Sequence, residues 1–345
     1  PFTTPKKPKG MPPAGDATGP VSRFASIMQK NDNYSTYCVV PYVRGRERSR
    51  SPESIIREIR EYVSSGTKEV TLLGQNVNSY GKKEHSLTFS ELLRQVDAVD
   101  GLLRIRFTTS HPKDLSPELI ACFGNVQKLA SHIHLPVQSG SDEILEKMNR
   151  KYTVAQYRDK VEALRRQKND IAITSDIIVG FPGETDLQFE ETLKLIQRLS
   201  FDGLFAFMYS DRPNAAAARF PEKIPDKVKA ERLDRVLDLQ SGITLNKNIR
   251  LEGTTQTVLV EGTSKRSSGG VDIVQWSGRT ECNRIVNFFD SLDSKEILTA
   301  GACESASSLA GRLVPVVIEK GHAHSLSGRM AGFTIDGDFL KETQG

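Results

Sequence analysis

The chain has 345 residues, of which 37% are hydrophobic and 26% are charged, and its formal net charge is +4 at pH 7. This composition suffices for a sizeable buried core and predicts one large domain or two. No apolar run approaches the roughly 18 residues of a membrane span and no charged-then-apolar leader opens the chain, so membrane, collagen-like and fully disordered classes are excluded.

Residues 1–21 are rich in proline and glycine, which predicts a linker and no packed element. The chain begins at Pro1 and not at methionine, so we expect a fragment or a processed product that has lost an upstream domain. Beyond the linker, a basic run holds Arg44, Arg46 and Arg48. Such a run is typical of a solvated face or of a nucleic-acid contact, and both interpretations stay open.

From residue 22 to about residue 210, short apolar runs alternate with amphipathic segments. Strands are predicted at 24–28, 70–73, 104–108, 132–137, 171–179 and 203–209. Helices are predicted at 51–62, 90–99, 154–167 and 186–199. Six strands alternating with helices predict an α/β fold with a parallel sheet or barrel, in which functional residues follow the carboxyl ends of the strands.

Five of the segments that follow these strands are polar or rich in glycine. They are residues 74–76, 109–112, 138–141, 180–184 and 210–213. Because parallel strands end at one edge of a sheet or barrel, these segments predict a single mouth lined for a ligand.

A long polar helix and connector is predicted at 226–252, after which the pattern changes. Strands are predicted at 255–261, 284–289 and 313–319, with glycines between them. Short strands with glycine turns and no helices predict a small all-β barrel of about 70–80 residues. We therefore divide the chain into a linker (1–21), an α/β core (22–250), a β-barrel domain (251–330) and a C-terminal tail (331–345).

The four cysteines are spaced widely and irregularly. They are Cys38, Cys122, Cys282 and Cys303. Nothing in the composition suggests secretion, so free thiols in a reducing, cytoplasmic compartment are expected. Taken alone, this spacing argues against a metal site.

Several stretches together resemble one family. Residues 27–50 read IMQKNDNYSTYCVVPYVRGRERSR, and residues 69–81 read EVTLLGQNVNSYG. Residues 109–112 and 132–140 read TSHP and HIHLPVQSG, and residues 278–288 read GRTECNRIVNF. Over about residues 22–330 the chain resembles the MiaB-type tRNA methylthiotransferases, which are radical-SAM enzymes.

The resemblance implies a partial (β/α)6 radical-SAM barrel followed by a small all-β TRAM barrel that binds RNA, with an upstream domain that holds an auxiliary iron–sulfur cluster. The family reaction replaces a hydrogen on carbon 2 of an isopentenyl-adenosine beside the tRNA anticodon with a methylthio group. The implied cofactors are a 4Fe–4S cluster and S-adenosylmethionine. The implied partners are the tRNA anticodon arm and an electron donor, for a monomer without membrane contact.

The cluster motif departs from the family pattern. The family spacing CxxxCxxC, counted back from Cys38, places the other two thiolate ligands at Asn31 and Ser35. A serine hydroxyl is a far weaker acid than a thiol, and an asparagine amide is neutral. We therefore expect Cys38 to occupy a ligand position whose cluster is not retained, and the chain as written not to perform radical chemistry. The other three cysteines match no ligand position and are expected to be structural.

The resemblance also implies that the strand ends form the S-adenosylmethionine pocket. The implied residues are Gly74, Gln75, Asn76, Ser110, His111, Gln138, Ser139, Ile178, Gly180, Gly183 and Glu184. For each of these segments an ordinary strand-to-helix turn is the alternative. Asp211 and Arg212, after the sixth strand, either orient the substrate base or pair with each other.

The implied RNA contacts lie near the cluster loop and in the β-barrel. They are Arg44, Arg46, Arg48, Lys265, Arg279, Asn283 and Arg284. Phe288 and Phe289 are candidates for stacking on bases, with core packing as the alternative for at least one of them. His132 and His134 alternate with apolar residues, so one is expected to face the barrel interior, and neither is assigned a metal.

Three functional hypotheses remain. The first is a tRNA methylthiotransferase module, truncated and inactive as written. The second is a tRNA-binding protein without catalysis that keeps the fold and the affinity for the anticodon arm. The third, a different iron–sulfur or TIM-barrel enzyme, is disfavoured by the GRTECNRIVNF stretch.

Overall fold

The computed structural model describes residues 20–29, 35–39, 47–83, 87–108, 110–264, 275–289 and 309–331. The predicted linker before residue 20 and the predicted tail after residue 331 lie outside the described residues. The same holds for five residues singled out from the sequence, namely Asn31, Arg44, Arg46, Lys265 and Cys303.

Strands and helices alternate along the core. Its strands are β1 (Ser22–Ser26), β2 (Met28–Gln29), β3 (Arg48–Ser49), β4 (Glu69–Leu73), β5 (Arg104–Thr108), β6 (His132–His134), β7 (Ala172–Val179) and β8 (Gly203–Met208). Its helices are α1 (Pro52–Ser64), α2 (Phe89–Asp97), α3 (Pro117–Asn125), α4 (Asp142–Lys147), α5 (Val154–Gln167), α6 (Asp186–Leu199) and α7 (Asp226–Ile249). None of the helices in the described ranges is long and apolar enough to cross a membrane.

Six of these strands form two parallel three-stranded sheets, in the orders β1-β4-β5 and β6-β7-β8. A parallel bridge between Ile105 and Leu129 joins the first sheet to the segment just before β6. The predicted α/β architecture is therefore confirmed. We call the carboxyl edge of the sheets, formed by residues 74–76, 110–112, 138–141, 180–184 and 209–212, the mouth, and the opposite, amino-terminal edge the floor.

Capping residues begin the helices where the sequence predicts them. Helices α5 and α6 have the predicted bounds, because each begins with a capping box: Thr153 pairs with Gln156, and Thr185 pairs with Gln188. Helix α1 begins behind Ser51, whose hydroxyl accepts a hydrogen bond from the first turn, and it extends two residues beyond the predicted end.

Helices α3 and α4 were not predicted. Helix α4 has only six residues, too few for an apolar period to be recognised, and α3 is a short helix between two loops. The strand predicted at 132–137 ends at His134, since Pro136 has no backbone N–H to give to a neighbouring strand.

One apolar core holds the helices against the sheets. Phe107 of β5 contacts Phe89 of α2 edge to face and Phe123 of α3 at a tilt, with ring centroids 5.1 and 5.9 Å apart. All three rings are buried. Truncating a ring of this kind to alanine costs about 3–5 kcal/mol, so these contacts fix the helices that carry the segments of the mouth.

The C-terminal strands close into a five-stranded barrel within the described residues, which confirms the predicted small all-β barrel. They are β9 (Thr255–Thr263), β10 (Gln275–Thr280), β11 (Ile285–Phe289), β12 (Leu313–Gly321) and β13 (Leu326–Met330), hydrogen-bonded in the order β10-β11-β13-β12-β9.

Strands β10 and β13 were not predicted from the sequence because each carries a glycine. A Cβ on Gly278 or Gly328 would overlap the backbone carbonyl of Leu259 or Val317, so the close strand approach requires these glycines. The domain boundaries themselves stay predictions.

The turn between β10 and β11 packs on the floor of the core. The guanidinium groups of Arg104 and Arg106 donate to the backbone carbonyls of residues 279–281 at 2.8–3.3 Å. Between them lies the buried carboxylate of Glu69, 3.4 Å from Arg104 Nη1 and 2.9 Å from Arg106 Nε. We call these four parts the floor junction.

A second set of contacts joins β8 and α7 to the barrel. Arg284 Nη2 lies 2.6 Å from Asp202 Oδ1, and Lys247 Nζ lies 2.8 Å from Asp202 Oδ2. Arg284 Nε also donates to Asn248, whose amide donates to the carbonyl of His322. The barrel is therefore fixed to the floor, at the edge opposite the mouth.

Candidate functional site

The mouth contains a cavity of about 320 Å³, within the size range of small-molecule sites. Its lining residues are Tyr37, Gln138, Asp176, Ile178, Phe207, Met208, Tyr209, Ser210 and Arg212. Two of the implied pocket residues, Gln138 and Ile178, thus face one cavity. Gln138 has a φ of 77°, an uncommon value for a residue other than glycine, and it bridges to β7 through hydrogen bonds with Asp176 O and Ile178 N.

Four buried polar atoms in or next to the mouth have no hydrogen-bond partner among the described residues. They are Gln75 Oε1, Asn76 Oδ1, Asn78 Oδ1 and Ser110 Oγ. A buried acceptor without a partner is costly, and native proteins rarely leave one unsatisfied. The three amide oxygens therefore fit a ligand that donates hydrogen bonds, such as an amine or a ribose hydroxyl.

His111 is buried in the mouth and uncharged. Burial, and then the nearby charge of Arg150, lowers the pKa of His111 to about 2. Its Nδ1 accepts a hydrogen bond from Lys113 N at 3.2 Å, and its ring contacts the Tyr152 ring edge to face. The neutral imidazole thus supports the turn after β5.

Arg150 is a buried cation that forms no salt bridge among the described residues, although the negative charge of Asp176 helps to raise its pKa. Its guanidinium donates to four neutral oxygens, at 3.0 Å to Tyr152, 3.2 Å to Pro136 O, and 3.3 Å to both Ser35 and Tyr37. A buried charge is expected to be paired. Arg150 therefore fits the carboxylate of a ligand such as the methionine part of S-adenosylmethionine.

Sequence reasoning missed both Arg150 and Asp176. Arg150 follows the short helix α4 and has no motif or period that marks it. Asp176 had a signal, because Thr174, Asp176 and Ile178 alternate with buried residues along β7 and therefore share the less buried face. Asp176 Oδ1 lies 3.3 Å from His134 Nε2.

The glycines and Glu184 of the predicted pocket serve the local packing. A Cβ on Gly74 would overlap the side chain of Met28, and Gly180 and Gly183 have φ values of 70° and 75° that other residues rarely adopt. The buried Glu184 carboxylate accepts from Gly180 N at 2.7 Å and pairs with Arg232 at 2.7 Å. Burial raises the pKa of Glu184 although Arg232 opposes this.

Ser139 likewise stabilises a turn, since its buried hydroxyl accepts a hydrogen bond from Ser141 N at 3.2 Å.

After β8, Asp211 pairs with Lys223 at 2.6 Å and accepts a hydrogen bond from the Tyr209 hydroxyl, while Arg212 lines the cavity. Asp211 and Arg212 thus have different surroundings. The ligand roles of the predicted pocket residues stay predictions.

The described part of the cluster loop does not fit a 4Fe–4S cluster. Cys38 is half-buried and its backbone N–H donates to Ser35 O at 3.1 Å. Ser35 is buried, and its hydroxyl accepts from Arg150. No group of three or more His, Cys, Asp or Glu side chains that could hold a metal occurs in the described ranges. With Asn31 at the third position, one thiolate is present where such clusters need three or four.

The predicted RNA contacts that are described fall in two places. Arg48 lies exposed in β3, near the cluster loop. Arg284 pairs with Asp202 at 2.6 Å and Arg279 pairs with Glu261 at 3.1 Å, so both guanidinium groups already have partners. Asn283 has a φ of 66° in the same turn.

The two phenylalanines of β11 face opposite sides of the barrel wall. Phe288 is fully buried in the barrel core, whereas Phe289 is 44% exposed and available for stacking.

The two histidines of β6 share one face, since Thr174 Oγ1 lies 3.3 Å from His132 Nε2 and 3.0 Å from His134 Nδ1.

The comparisons with known proteins agree with this fold. The model of the Radical SAM superfamily matches residues 32–196. A solved structure of coproporphyrinogen III oxidase from Escherichia coli, described as a radical SAM enzyme, matches with a TM-score of 0.51 and 15% identity, over 77% of this chain and 68% of that chain. At this identity the likeness shows the fold alone, which is that of a radical-SAM barrel.

Two relatives define the family more closely, and both are named tRNA-2-methylthio-N(6)-dimethylallyladenosine synthase. That of Desulfosudis oleivorans is 53% identical over 321 residues, which are 92% of this chain and 67% of the relative. That of Geobacter metallireducens is 51% identical over 322 residues, 93% of this chain and 68% of the relative. The chain therefore belongs to the family of tRNA-2-methylthio-N(6)-dimethylallyladenosine synthases, whose cofactors are a 4Fe–4S cluster and S-adenosylmethionine.

Proposed function

We propose that this chain binds the anticodon arm of tRNA and presents an isopentenyl-adenosine to the mouth of the barrel, as a member of the family that methylthiolates carbon 2 of that base. The observation that carries the proposal is the identity of 53% to a tRNA-2-methylthio-N(6)-dimethylallyladenosine synthase over 92% of the chain. The closed β-barrel fixed to the core supports it, because it gives an RNA-binding surface a constant position relative to the mouth.

S-adenosylmethionine is the cofactor that the mouth of this chain fits. In the family it supplies a deoxyadenosyl radical once a cluster reduces it. In this chain Arg150 would hold its carboxylate, and the unpartnered oxygens of Gln75 and Asn76 would accept from its amine or ribose. Gln138 and Ile178 would bound the cavity around its nucleoside.

The proposal also covers the oligomeric state, the compartment, the electron donor and the roles of the two domains. The chain acts as a monomer in the cytoplasm, where tRNA is the substrate and an external protein supplies electrons to the family reaction. In the family reaction the transferred sulfur comes from an auxiliary iron–sulfur cluster. The core 22–250 supplies the radical-SAM barrel and residues 251–330 supply the RNA-binding barrel.

A binding titration tests the tRNA proposal. Fluorescence anisotropy is measured with an anticodon stem-loop RNA that carries N6-dimethylallyladenosine, and with a scrambled RNA of equal length as control. We expect tighter binding to the stem-loop and an affinity that falls linearly with the logarithm of salt concentration, as phosphate contacts require. Equal affinity for both RNAs without salt dependence would contradict the proposal.

A second candidate function is tRNA binding without catalysis. The observation that favours it is the replacement of two thiolate positions by Asn31 and Ser35. Mass spectrometry of nucleosides from tRNA incubated with the anaerobically reconstituted chain and an intact sulfur-donating domain separates the two. Methylthio-adenosine in the digest favours the enzyme, and unmodified tRNA together with stem-loop binding favours the silent binder.

A further inference from the structure

Strand β8 carries two exposed aromatic side chains on one face. Among the described residues it pairs only with β7, so it is an edge strand of its sheet. Successive residues of a strand face opposite sides, and Leu204 and Ala206 pack against the apolar core. Phe205 and Phe207 therefore face away from that core, and they are 57% and 54% exposed. Large apolar side chains exposed together in this way are typical of a binding surface.

The two rings border two different cavities. Phe207 lines the cavity of the mouth, together with Met208 at the end of the strand. Phe205 lines a second cavity, of about 440 Å³, which lies between β8, α7 and the turn between β10 and β11. We call it the junction cavity, and its lining residues include Gly203, Phe205, Leu237, Arg279, Asn283 and Ile285. Strand β8 thus leads from the junction cavity at its first residue to the mouth at its last.

Basic and polar side chains accompany the rings at both ends. Arg212 is exposed, lines the cavity of the mouth and forms no ion pair within the described ranges. At the other end, the side chain of Arg279 is 33% exposed although it pairs with Glu261. Aromatic rings with cations beside them are typical of sites for single-stranded nucleic acid, in which bases stack on the rings and cations contact phosphates.

The polar groups beside the rings also favour RNA over a protein partner. Asp176 lies directly beside Phe205 in the register of β7 and β8, and its side chain is 25% exposed. The centre of a protein–protein interface is depleted of charged residues. A carboxylate next to an aromatic ring instead suits a stacked base, because it can accept a hydrogen bond from an exocyclic amine.

We propose that the single-stranded anticodon loop runs along β8 from the mouth to the junction cavity, with bases next to the presented adenosine stacked on Phe207 and Phe205. The two residues are about 6.6 Å apart along the strand, so each ring can take a different base. Arg212 and Arg279 contact phosphates at the two ends of this path. The inference rests on the proposed function for its RNA and adds the surface that the loop follows.

Fluorescence anisotropy with the stem-loop that carries N6-dimethylallyladenosine tests the two rings separately. Phe205→Ala and Phe207→Ala should each weaken binding about tenfold, because each removes the stacking of one base. The slope of affinity against salt should not change, since stacking neutralises no phosphate. Phe205→Tyr keeps an aromatic face and should bind like the unaltered chain, whereas Phe205→Leu should bind as weakly as Phe205→Ala.

The matched control is Leu187→Ala. Leu187 is 80% exposed on α6 and lines neither of the two cavities. Its replacement should leave the affinity for the stem-loop unchanged. An equal loss of affinity in Leu187→Ala, or full affinity in Phe205→Leu, would show that stacking on β8 does not hold the loop and would overturn the proposal.

Photocrosslinking locates the contact on the chain. The stem-loop is made with 5-iodouridine next to the dimethylallyladenosine, on one side or the other, and irradiated in complex with the chain. Peptide mass spectrometry should find the crosslink at Phe207 or Phe205, and crosslinks confined to other segments would contradict the proposal.

The outcomes separate this inference from the proposed function. Stem-loop binding that both alanine variants leave unchanged would overturn the inference alone and assign the β8 face to a protein partner. An unaltered chain that does not prefer the stem-loop over the scrambled RNA would remove the proposed function and this inference with it.

Discussion

The floor junction makes a sharp prediction about how the β-barrel is held. Replacing Glu69 with glutamine keeps the size of the side chain but removes the negative charge between Arg104 and Arg106. Both guanidinium groups stay buried, and burial lowers the pKa of each while Glu69 raises it. Glu69→Gln therefore removes the buried carboxylate that contacts both cations at the surface where the barrel packs.

The magnitude follows from the geometry. Glu69 Oε2 lies 2.9 Å from Arg106 Nε and 3.4 Å from Arg104 Nη1, so each contact is worth about 5 kcal/mol of attraction at an effective dielectric constant of about 20. Much of this is offset by the cost of burying the carboxylate. Removing one partner of a buried ion pair typically destabilises a protein by about 3–5 kcal/mol, which is the loss we expect.

Urea denaturation with two probes measures the effect. Trp276 is the only tryptophan and is buried in β10, so its fluorescence reports the barrel, while far-ultraviolet circular dichroism reports the helices of the core. In the unaltered chain the two transitions should coincide because the junction couples the two parts. In Glu69→Gln both should shift to lower urea, and the fluorescence transition should come first.

The matched control is Glu190→Gln. Glu190 pairs with Arg235 at 2.6 Å, but both side chains are about half exposed. An exposed pair contributes less than about 1 kcal/mol, so this variant should unfold like the unaltered chain. If Glu69→Gln lost no more stability than Glu190→Gln and its two transitions still coincided, the floor junction would not be what holds the barrel.

Four further predictions concern stability and RNA binding. The pKa of His111 is about 2 in the fold and about 6.5 when unfolded, so the unfolded chain binds the extra proton and stability is lost as pH falls below about 6.5. The free energy of unfolding measured with urea should therefore be about 2 kcal/mol lower at pH 5 than at neutral pH, and the drop should be smaller in His111→Asn. Gly140→Ala should cost about 1–3 kcal/mol in the same assay, because the added methyl overlaps the backbone of Thr192. Gly242→Ala, in an exposed turn of α7 with open space around it, should instead stabilise by about 1 kcal/mol. Arg48→Gln should weaken stem-loop binding and reduce the slope of affinity against salt by about 1, whereas an unchanged slope would remove Arg48 from the RNA contacts.

The fold was predictable where local chemistry and tertiary packing agree. Helices α5 and α6 are bounded by capping boxes that the sequence shows directly, and β5 lies at its predicted bounds. Prediction failed where the signal is short or where glycine dilutes it. Helix α4 has only six residues. Strands β10 and β13 contain glycines because another strand approaches closely there, and only the three-dimensional pairing shows that approach.

The sequence predicted where the candidate site lies better than it predicted which side chains contact each other there. The strand ends meet at the mouth as expected, because parallel strands end together. Arg150 was missed because it follows a helix and not a strand. Arg284 pairs with Asp202 beside the floor, a contact that the sequence does not show, because the two residues are far apart along the chain. Its predicted contact with RNA stays a prediction.

The mouth and the floor lie far enough apart for substitutions at the two places to act independently. Glu69 begins β4 and Gly74 directly follows its last residue, and at about 3.3 Å per residue the strand is about 16 Å long. Substitutions at such a separation without shared partners usually add in their free energies. Loss of cluster ligands at Asn31 and Ser35 should therefore leave the barrel docked and the RNA surface in place. The double variant Glu69→Gln with Arg150→Gln should lose as much free energy of unfolding as the two single variants lose together. A coupling energy above about 0.5 kcal/mol would show that the mouth and the barrel communicate through the core.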